Sequence, residues 1–224
     1  MRMLRGILAA SRPISWVNTA FPFGLAYLLV VGDLDWLFWV GVVFFLIPYN
    51  IAMYGINDVF DYESDIRNPR KGGVEGAVLP TSMHAPLLWA AALTTLPFLV
   101  VMYASGTWQS AFWLTLSMAA VVAYSAPPMR FKERPVLDSA TSAAHFVTPA
   151  IVGATIRVGE LPVYFWVAVG AFFLWGMASH ALGAVQDVKA DREGDLSSIA
   201  TAFGARSTTR LAAGAYLVAA LLLF

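Results

Sequence analysis

No cysteine occurs among the 224 residues, which removes disulfides, thiolate nucleophiles and Cys-ligated metal centres from consideration. Charge is scarce as well. Asp, Glu, Lys and Arg make up 12% of the chain, against about a quarter in ordinary domains, and the 14 acidic and 14 basic residues cancel. A neutral balance offers no electrostatic footprint for a polyphosphate backbone, so no nucleic-acid partner is implied. The alternation of polar and apolar positions that a membrane β-strand needs is missing too. No cleavable leader is expected, because the apolar run after Arg2, Arg5 and Arg12 contains Pro13, Asn18 and Pro22 and has the length of a full span.

What is present is apolar. Hydrophobic residues form 59% of the chain and the mean hydropathy is +0.68, which marks an integral membrane protein. Runs free of Asp, Glu, Lys and Arg extend over Pro13–Gly32, Trp36–Ile56, Ala85–Ala126, Ser139–Ile156 and Leu161–Gln186; the third is long enough for two spans, divided near Ser105-Gly106. A bilayer core takes about 20 apolar residues per helix, so six complete spans are expected in an all-α, polytopic transmembrane helical bundle. A seventh begins at Leu211 and is partial at Phe224, so further helices are expected beyond that residue. Trp16, Trp36 and Trp108 fall at span ends and read as interfacial anchors.

Basic residues orient the bundle. Of the 14, only Arg157 falls on one side, where Asp33 and Asp35 also lie; all the others fall in the N-terminal segment or in the loops after spans two, four and six. The positive-inside rule therefore makes the N terminus and those loops cytoplasmic, in a multi-pass protein of the cell membrane.

Two acidic clusters stand on that cytoplasmic side: Asn57-Asp58-Val-Phe-Asp61-Tyr-Glu-Ser-Asp65 after span two, and Gln186-Asp187-Val-Lys-Ala-Asp191-Arg-Glu-Gly-Asp195 after span six. Each follows the second span of a half that starts with Arg-Pro, at Arg12-Pro13 and Arg134-Pro135. This suggests two pseudo-repeats, about 12–133 and 134–224, in one membrane-embedded domain 1–224, with the clusters facing each other across a central cavity. If span two continues as a helix, Asn57, Asp61 and Asp65 share one face, and the spacing repeats at Asp187, Asp191 and Asp195. Carboxylates so spaced repel unless a cation is shared, and oxygen-only donors favour Mg2+, which bridges carboxylates to substrate phosphates. Arg67, Arg70 and Lys71, with Arg130 and Lys132 in the neighbouring loop, suit an anionic ligand, although the same residues serve as topology determinants.

The pair NDVFDYESD and QDVKADREGD, with YSAPPMRFK between them and Arg-Pro before the first span, resembles the UbiA-type intramembrane prenyltransferases. The continuation DIRNPRKGGVEGAVL is similar to that of actinobacterial lycopene elongases. The resemblance implies nine helices, so the chain would be truncated at its C terminus. It implies that Asn57, Asp58, Asp61 and Asp65 with Asp187 and Asp191 hold two Mg2+ ions on an allylic diphosphate, while Asp195 lies outside the second core motif. Asp61, Asp191 and Tyr124 are the expected catalytic residues, and Arg130, Lys132, Arg67 and Asn18 the expected diphosphate or substrate contacts.

The implied reaction moves a prenyl group from the allylic diphosphate to a lipophilic acceptor drawn from the bilayer. The polar-aromatic alternative, a quinone precursor, would need a cation for its carboxylate, and no Lys or Arg lies inside any span; a hydrocarbon needs only an apolar tunnel. Lycopene with dimethylallyl diphosphate is the expected pair, ending in proton loss or water capture. Tyr49, Tyr54, Phe60 and Tyr124 are candidates for guarding the carbocation, although aromatics in spans more often pack. His180 falls on the helical face of Asp187; Asn50 reads as a structural polar group, and Asp138 as a helix cap with His145 one register away. A non-enzymatic cation or polyanion transporter is the other class, but its pathway would need more polar residues through the spans. Membrane lipids are the remaining partners, and the sequence leaves homo- or hetero-oligomers open.

Overall fold

The computed structural model describes residues 2–66, 72, 77–194 and 196–224, and these form helices joined by turns with no strand among them. The helices are α1 (Arg2–Ala10), α2 (Val17–Val30), α3 (Trp36–Leu46), α4 (Pro48–Phe60), α5 (Tyr62–Asp65), α6 (His84–Ser105), α7 (Trp108–Ser125), α8 (Leu137–Thr155), α9 (Val163–Glu193), α10 (Ile199–Phe203) and α11 (Ala205–Leu221). Each of the six expected apolar runs is helical. By length and composition alone three helical segments could cross a membrane, Trp36–Phe60, Thr81–Ser105 and Val163–Glu193, and a fourth if the pair Met3–Ser15 and Val17–Val30, bent by 57°, counts as one span.

Span two is not one straight helix. Pro48 has no N–H to continue α3, so the backbone breaks at Ile47 and restarts as α4. The loosened carbonyls at this break need donors inside an apolar bundle. Asn50 supplies them: its Nδ2 donates to the Phe45 carbonyl (2.8 Å), the Leu46 carbonyl (3.1 Å) and Thr19 Oγ1 (2.8 Å).

The centre of the bundle is the contact of α2 with α8, the first helices of the two halves. Gly153 on α8 makes it possible, and Gly41 on α3 leaves room for the ring beside it. A Cβ on Gly153 would collide with the Phe23 carbonyl, and one on Gly41 with the Phe23 ring. Small residues at a crossing let membrane helices approach closely. Phe23 is then free to stack into a buried aromatic group, 5.2 Å from Phe45, which lies 4.8 Å from Phe44 and 5.1 Å from Tyr49. Against α8 lie α7 on one side and α9 on the other. Large apolar side chains such as Leu29, Trp89 and Val163 are left on the outside, as a lipid-facing surface requires.

The end of the bundle away from the acidic clusters is closed by a clasp. Asp35 caps α3 through the Leu37 and Phe38 N–H groups (2.9 and 3.0 Å), accepts from the Tyr27 hydroxyl (2.6 Å), and pairs with Arg157 Nε at 3.0 Å. The one basic residue on the minority side is thus neutralised locally. Burial acts to raise the Asp35 carboxyl, but the Tyr27 hydroxyl, the Phe38 N–H and Arg157 hold it down at about 2. Its folded value lies below the ordinary 3.8, so the clasp stabilises fully above that value and its contribution is lost as pH falls through about 2. Melting curves of the detergent-solubilised protein should therefore show Asp35→Asn less stable than the parent at pH 6, with the gap closing towards pH 2. A gap that does not change with pH would show that the carboxylate charge is irrelevant there.

Candidate active site

The first motif straddles a helix break. α4 ends at Phe60, Asp61 takes a non-helical conformation (φ −102°, ψ 1°), and α5 resumes at Tyr62. The expected uninterrupted helix is therefore corrected to two helices hinged at Asp61. The i, i+4 backbone bonds survive on both sides, Asp61 N–H to the Asn57 carbonyl (2.9 Å) and Asp65 N–H to the Asp61 carbonyl (2.8 Å), so the three residues still turn to one side. The second motif rides on α9, whose 31 residues run unbroken from Val163 to Glu193. At 1.5 Å per residue this is about 46 Å, enough to carry Asp187 and Asp191 to the membrane edge.

Both motifs line one cavity of about 630 Å³. Asn57, Asp61 and Asp65 come from the first, and Asp187 and Asp191 from the second. Asp58 stands behind this wall, 5% exposed, in an ion pair with Arg12 Nη2 at 2.8 Å. Lys132 lines the cavity and pairs with Asp61, whereas Arg130 stands at the rim, 3.9 Å from Asp61 and bound to Glu133 through Nε at 2.9 Å. That hydrogen bond holds the Glu133 carboxyl below its ordinary value.

Two of these cations sit on strained backbone. Arg12 (φ 50°) and Arg130 (φ 39°) are both left-handed, each just before a 3-10 turn, Pro13–Ser15 and Phe131–Glu133. Such conformations cost an L-residue about 1–3 kcal/mol and gather at functional sites. Arg12 also lies over the Tyr54 ring, 4.3 Å from its centroid, so one face of that cation-guard candidate is already occupied. Arg134 does not repeat the role of Arg12. Its Nη2 reaches the Pro128 carbonyl at 3.4 Å, and the guanidinium lies 5.5 Å from the centre of the Phe131 ring.

Asn57 Oδ1 accepts from Ser125 Oγ at 3.1 Å, joining α4 to α7. Asp191 Oδ2 accepts from Ser198 Oγ at 2.9 Å. Ser198 begins α10 with a capping box, and the next N–H, of Ile199, donates to Asp138 Oδ2 at 2.7 Å. Asp138 is thus a cap, but of α10 as well as of its neighbour Ser139 N–H (2.6 Å). Tyr124 lines the cavity with His145 and His180, its hydroxyl 3.1 Å from His180 Nε2.

Asn18 is not among the residues that line the cavity. It is exposed on the outer side of α2, while the next residue, Thr19, is fully buried and donates to the Phe45 carbonyl. One residue along a helix is a turn of about 100°, so the two cannot share a face. Tyr49 is core, bound to Ser117 Oγ at 2.9 Å, and does not line the cavity. Arg67, Arg70, Lys71 and Asp195 lie outside the described residues. The sequence reading missed Arg12, Ser139 and Ser198 as site residues. For Arg12 the signal was there, a basic residue beside Pro13 at a span entrance, but it was absorbed by the topology count.

The donor set suits a hard divalent cation in kind, since the cavity wall presents carboxylate and amide oxygens from both halves. Among the described residues no three carboxylate or imidazole groups close into a ligand set by themselves.

Comparison with known proteins agrees with this geometry. Residues 19–224 match the UbiA prenyltransferase family. The chain is 67% identical over 222 residues to a protein of Corynebacterium glutamicum named lycopene elongase/hydratase, covering 99% of this chain and 77% of that one. It is 58% identical over 221 residues to a C(50) beta-cyclic carotenoids biosynthesis protein of a Dietzia species, covering 99% of this chain and 51% of that one. In fold it resembles a UbiA homolog from Archaeoglobus fulgidus, solved bound to DMAPP and Mg2+, with a TM-score of 0.76 and 20% identity, covering 96% of this chain and 75% of that one. An all-helical bundle, two acidic motifs on one cavity and a family match across nearly the whole chain lead to one conclusion: this multi-pass membrane protein belongs to the UbiA prenyltransferase family and is a prenyl-transferring enzyme.

Proposed function

We propose that the protein transfers the dimethylallyl group of dimethylallyl diphosphate to lycopene, at the cytoplasmic edge of the cell membrane, in the synthesis of longer carotenoids. The observation that carries the reading is the single cavity shared by both acidic motifs and Lys132, together with the high identity to a protein named lycopene elongase/hydratase. One domain, 1–224, supplies the site, the halves 12–133 and 134–224 each contributing one motif. The side assignment rests on the basic residues, nearly all of which lie on the side of the motifs.

Asn57, Asp61, Asp65, Asp187 and Asp191, with Asp58 as the family resemblance implies, would hold two Mg2+ ions. When bound, the metal withdraws charge from the leaving diphosphate. Lys132 and Arg12 are placed to balance the remaining negative charge once the diphosphate competes with the carboxylates they now pair with, and Arg130 supports from the rim. Arg67 is proposed as a further diphosphate contact. The allylic fragment needs surroundings that stabilise positive charge without adding to it, and Tyr124, Tyr54 and Phe146 bring aromatic surface to the cavity wall. The walls between the spans carry no Lys or Arg, so a carboxylate-bearing aromatic acceptor finds no cation there, whereas a polyene needs none.

Membranes containing the protein should incorporate label from dimethylallyl diphosphate into lycopene in the presence of Mg2+, lose that activity with chelator, and regain it on Mg2+ addition. Hydroxybenzoate and a menaquinone precursor belong in the same panel. Label appearing only in an aromatic acceptor would overturn the assignment of lycopene.

A further inference from the structure

The cavity that the acidic motifs line also carries a hydrogen-bonded chain whose direction can be worked out. Asp138 is fully buried, and its carboxylate accepts from the Ser139 N–H (2.6 Å), the Ile199 N–H (2.7 Å) and Ser139 Oγ (3.2 Å). A carboxylate surrounded by donors is an acceptor only, so the Ser139 hydroxyl proton points to it. Ser139 Oγ, 3.1 Å from His180 Nδ1, must then accept from that nitrogen. The other nitrogen of a neutral ring is an acceptor, so His180 Nε2 receives the Tyr124 hydroxyl proton across 3.1 Å. Tyr124 has spent its donor and turns only lone pairs to the cavity.

His145 reaches the same condition by another route. It is 4% exposed, lines the cavity, and sets its ring edge-on to Tyr124 with centroids 5.3 Å apart. Its Nε2 has no hydrogen-bond partner among the described residues. The Ala120 carbonyl acts on the ring as an acceptor, and with Nε2 left without a partner it falls to Nδ1. A carbonyl holding Nδ1–H fixes the tautomer and leaves a lone pair on Nε2. Two neighbouring rings, one buried and one half-buried, thus present acceptors and no donor. A buried acceptor left without a donor at His145 Nε2 is costly, which favours an occupant that brings a proton there and a second to Tyr124 Oη. Water is that occupant, provided it finds at least two polar partners.

Resting on the prenyl-transfer reading above, we propose that Tyr124 and His145 hold the water that ends the reaction, and that His145 Nε2 takes its proton. In the first step the allylic C–O bond breaks and its electron pair leaves with the diphosphate. The π pair of the acceptor's terminal double bond forms the new C–C bond, which leaves a tertiary carbocation on the acceptor. A water donating both its protons to Tyr124 Oη and His145 Nε2 keeps its oxygen lone pairs for that carbocation. The C–O bond forms, the O–H proton passes to Nε2, and the imidazolium keeps Nδ1–H on the Ala120 carbonyl. The product is a tertiary alcohol, and no oxidant or reductant is consumed. Tyr124 acts by positioning, and His180, Ser139 and Asp138 hold its hydroxyl in the orientation that leaves the lone pairs free.

The test is a product ratio, which does not depend on how much of a variant folds. Membranes containing the protein are incubated with Mg2+, dimethylallyl diphosphate and lycopene in water labelled with heavy oxygen, and hydroxylated and water-free prenylated products are quantified by mass. The parent should incorporate the label into an alcohol. In His145→Phe, which keeps a ring but no acceptor, the ratio of alcohol to water-free product should fall by about tenfold or more. Tyr124→Phe should lower it in the same direction. Should His145→Phe fail to fold, His145→Gln, which keeps an oxygen and an amide donor but no basic nitrogen, provides the same reading. An unchanged ratio in the folded His145 variant overturns the proposal, as does a parent that prenylates lycopene without taking up any label. A parent that makes no prenylated lycopene at all overturns instead the reading on which the proposal rests.

Discussion

Replacing Asp61 or Asp191 by alanine is expected to lower prenyl transfer by at least about 10³-fold, equivalent to about 4 kcal/mol of transition-state stabilisation. Both carboxylates line the cavity, Asp61 from the hinge between α4 and α5 and Asp191 from α9, and each is anchored from elsewhere in the chain, Asp61 by Lys132 and Asp191 by Ser198. Neither is part of the apolar core that holds the bundle together. The variants should therefore fold, elute as the parent does in detergent, and fail in turnover. Asp61→Asn and Asp191→Asn keep the size and test the charge alone. Initial rates with labelled dimethylallyl diphosphate, normalised to folded protein, are the measurement. Near-parental rates in both alanine variants would dispose of the two-motif site.

The second large effect is on stability. Gly153→Val places a branched side chain against the Phe23 carbonyl, where even one carbon collides with backbone. Backbone cannot move aside as a flexible side chain can, so α2 and α8 must separate along the central contact of the bundle. Overpacking a tight interface costs about 1–3 kcal/mol and occasionally more, and the upper end applies where backbone is the obstacle. The variant should melt at a clearly lower temperature and give less folded protein. Gly214→Ala on α11 is the control, because a Cβ there meets nothing within 4 Å and alanine is the better helix former. Equal melting temperatures for parent and Gly153→Val would show that the α2–α8 contact tolerates spreading.

The contrast between these two predictions marks what could be read without coordinates. The acidic motifs were legible because carboxylates beside apolar spans are expensive and therefore conspicuous, and because both lie on the side where nearly all the basic residues fall. Lys132 was legible for the same reason. Asn18 was misplaced because the helical phase within an apolar run is unmarked: with polar residues at both 18 and 19, nothing in the run says which one turns inward. The hinge at Asp61 has no proline or glycine to announce it. Pro48 does announce the break before it, yet its partner Asn50 becomes meaningful only when the loosened carbonyls are known. Gly153 and Phe23 are 130 positions apart, and a contact at that separation leaves no local trace.

The turn after α9 has a thermodynamic consequence. Asp191 is held by Ser198, the adjoining Ile199 N–H is held by Asp138, and Asp138 orients Ser139, His180 and Tyr124 in succession. One covalent link and a run of hydrogen bonds thus join a carboxylate of the second motif to the ring of Tyr124. Groups that share an acceptor do not own separable energies, and removing any one changes what the others are worth. Substitutions along this path will combine non-additively, and the measured contribution of each residue will depend on which of its neighbours is still in place.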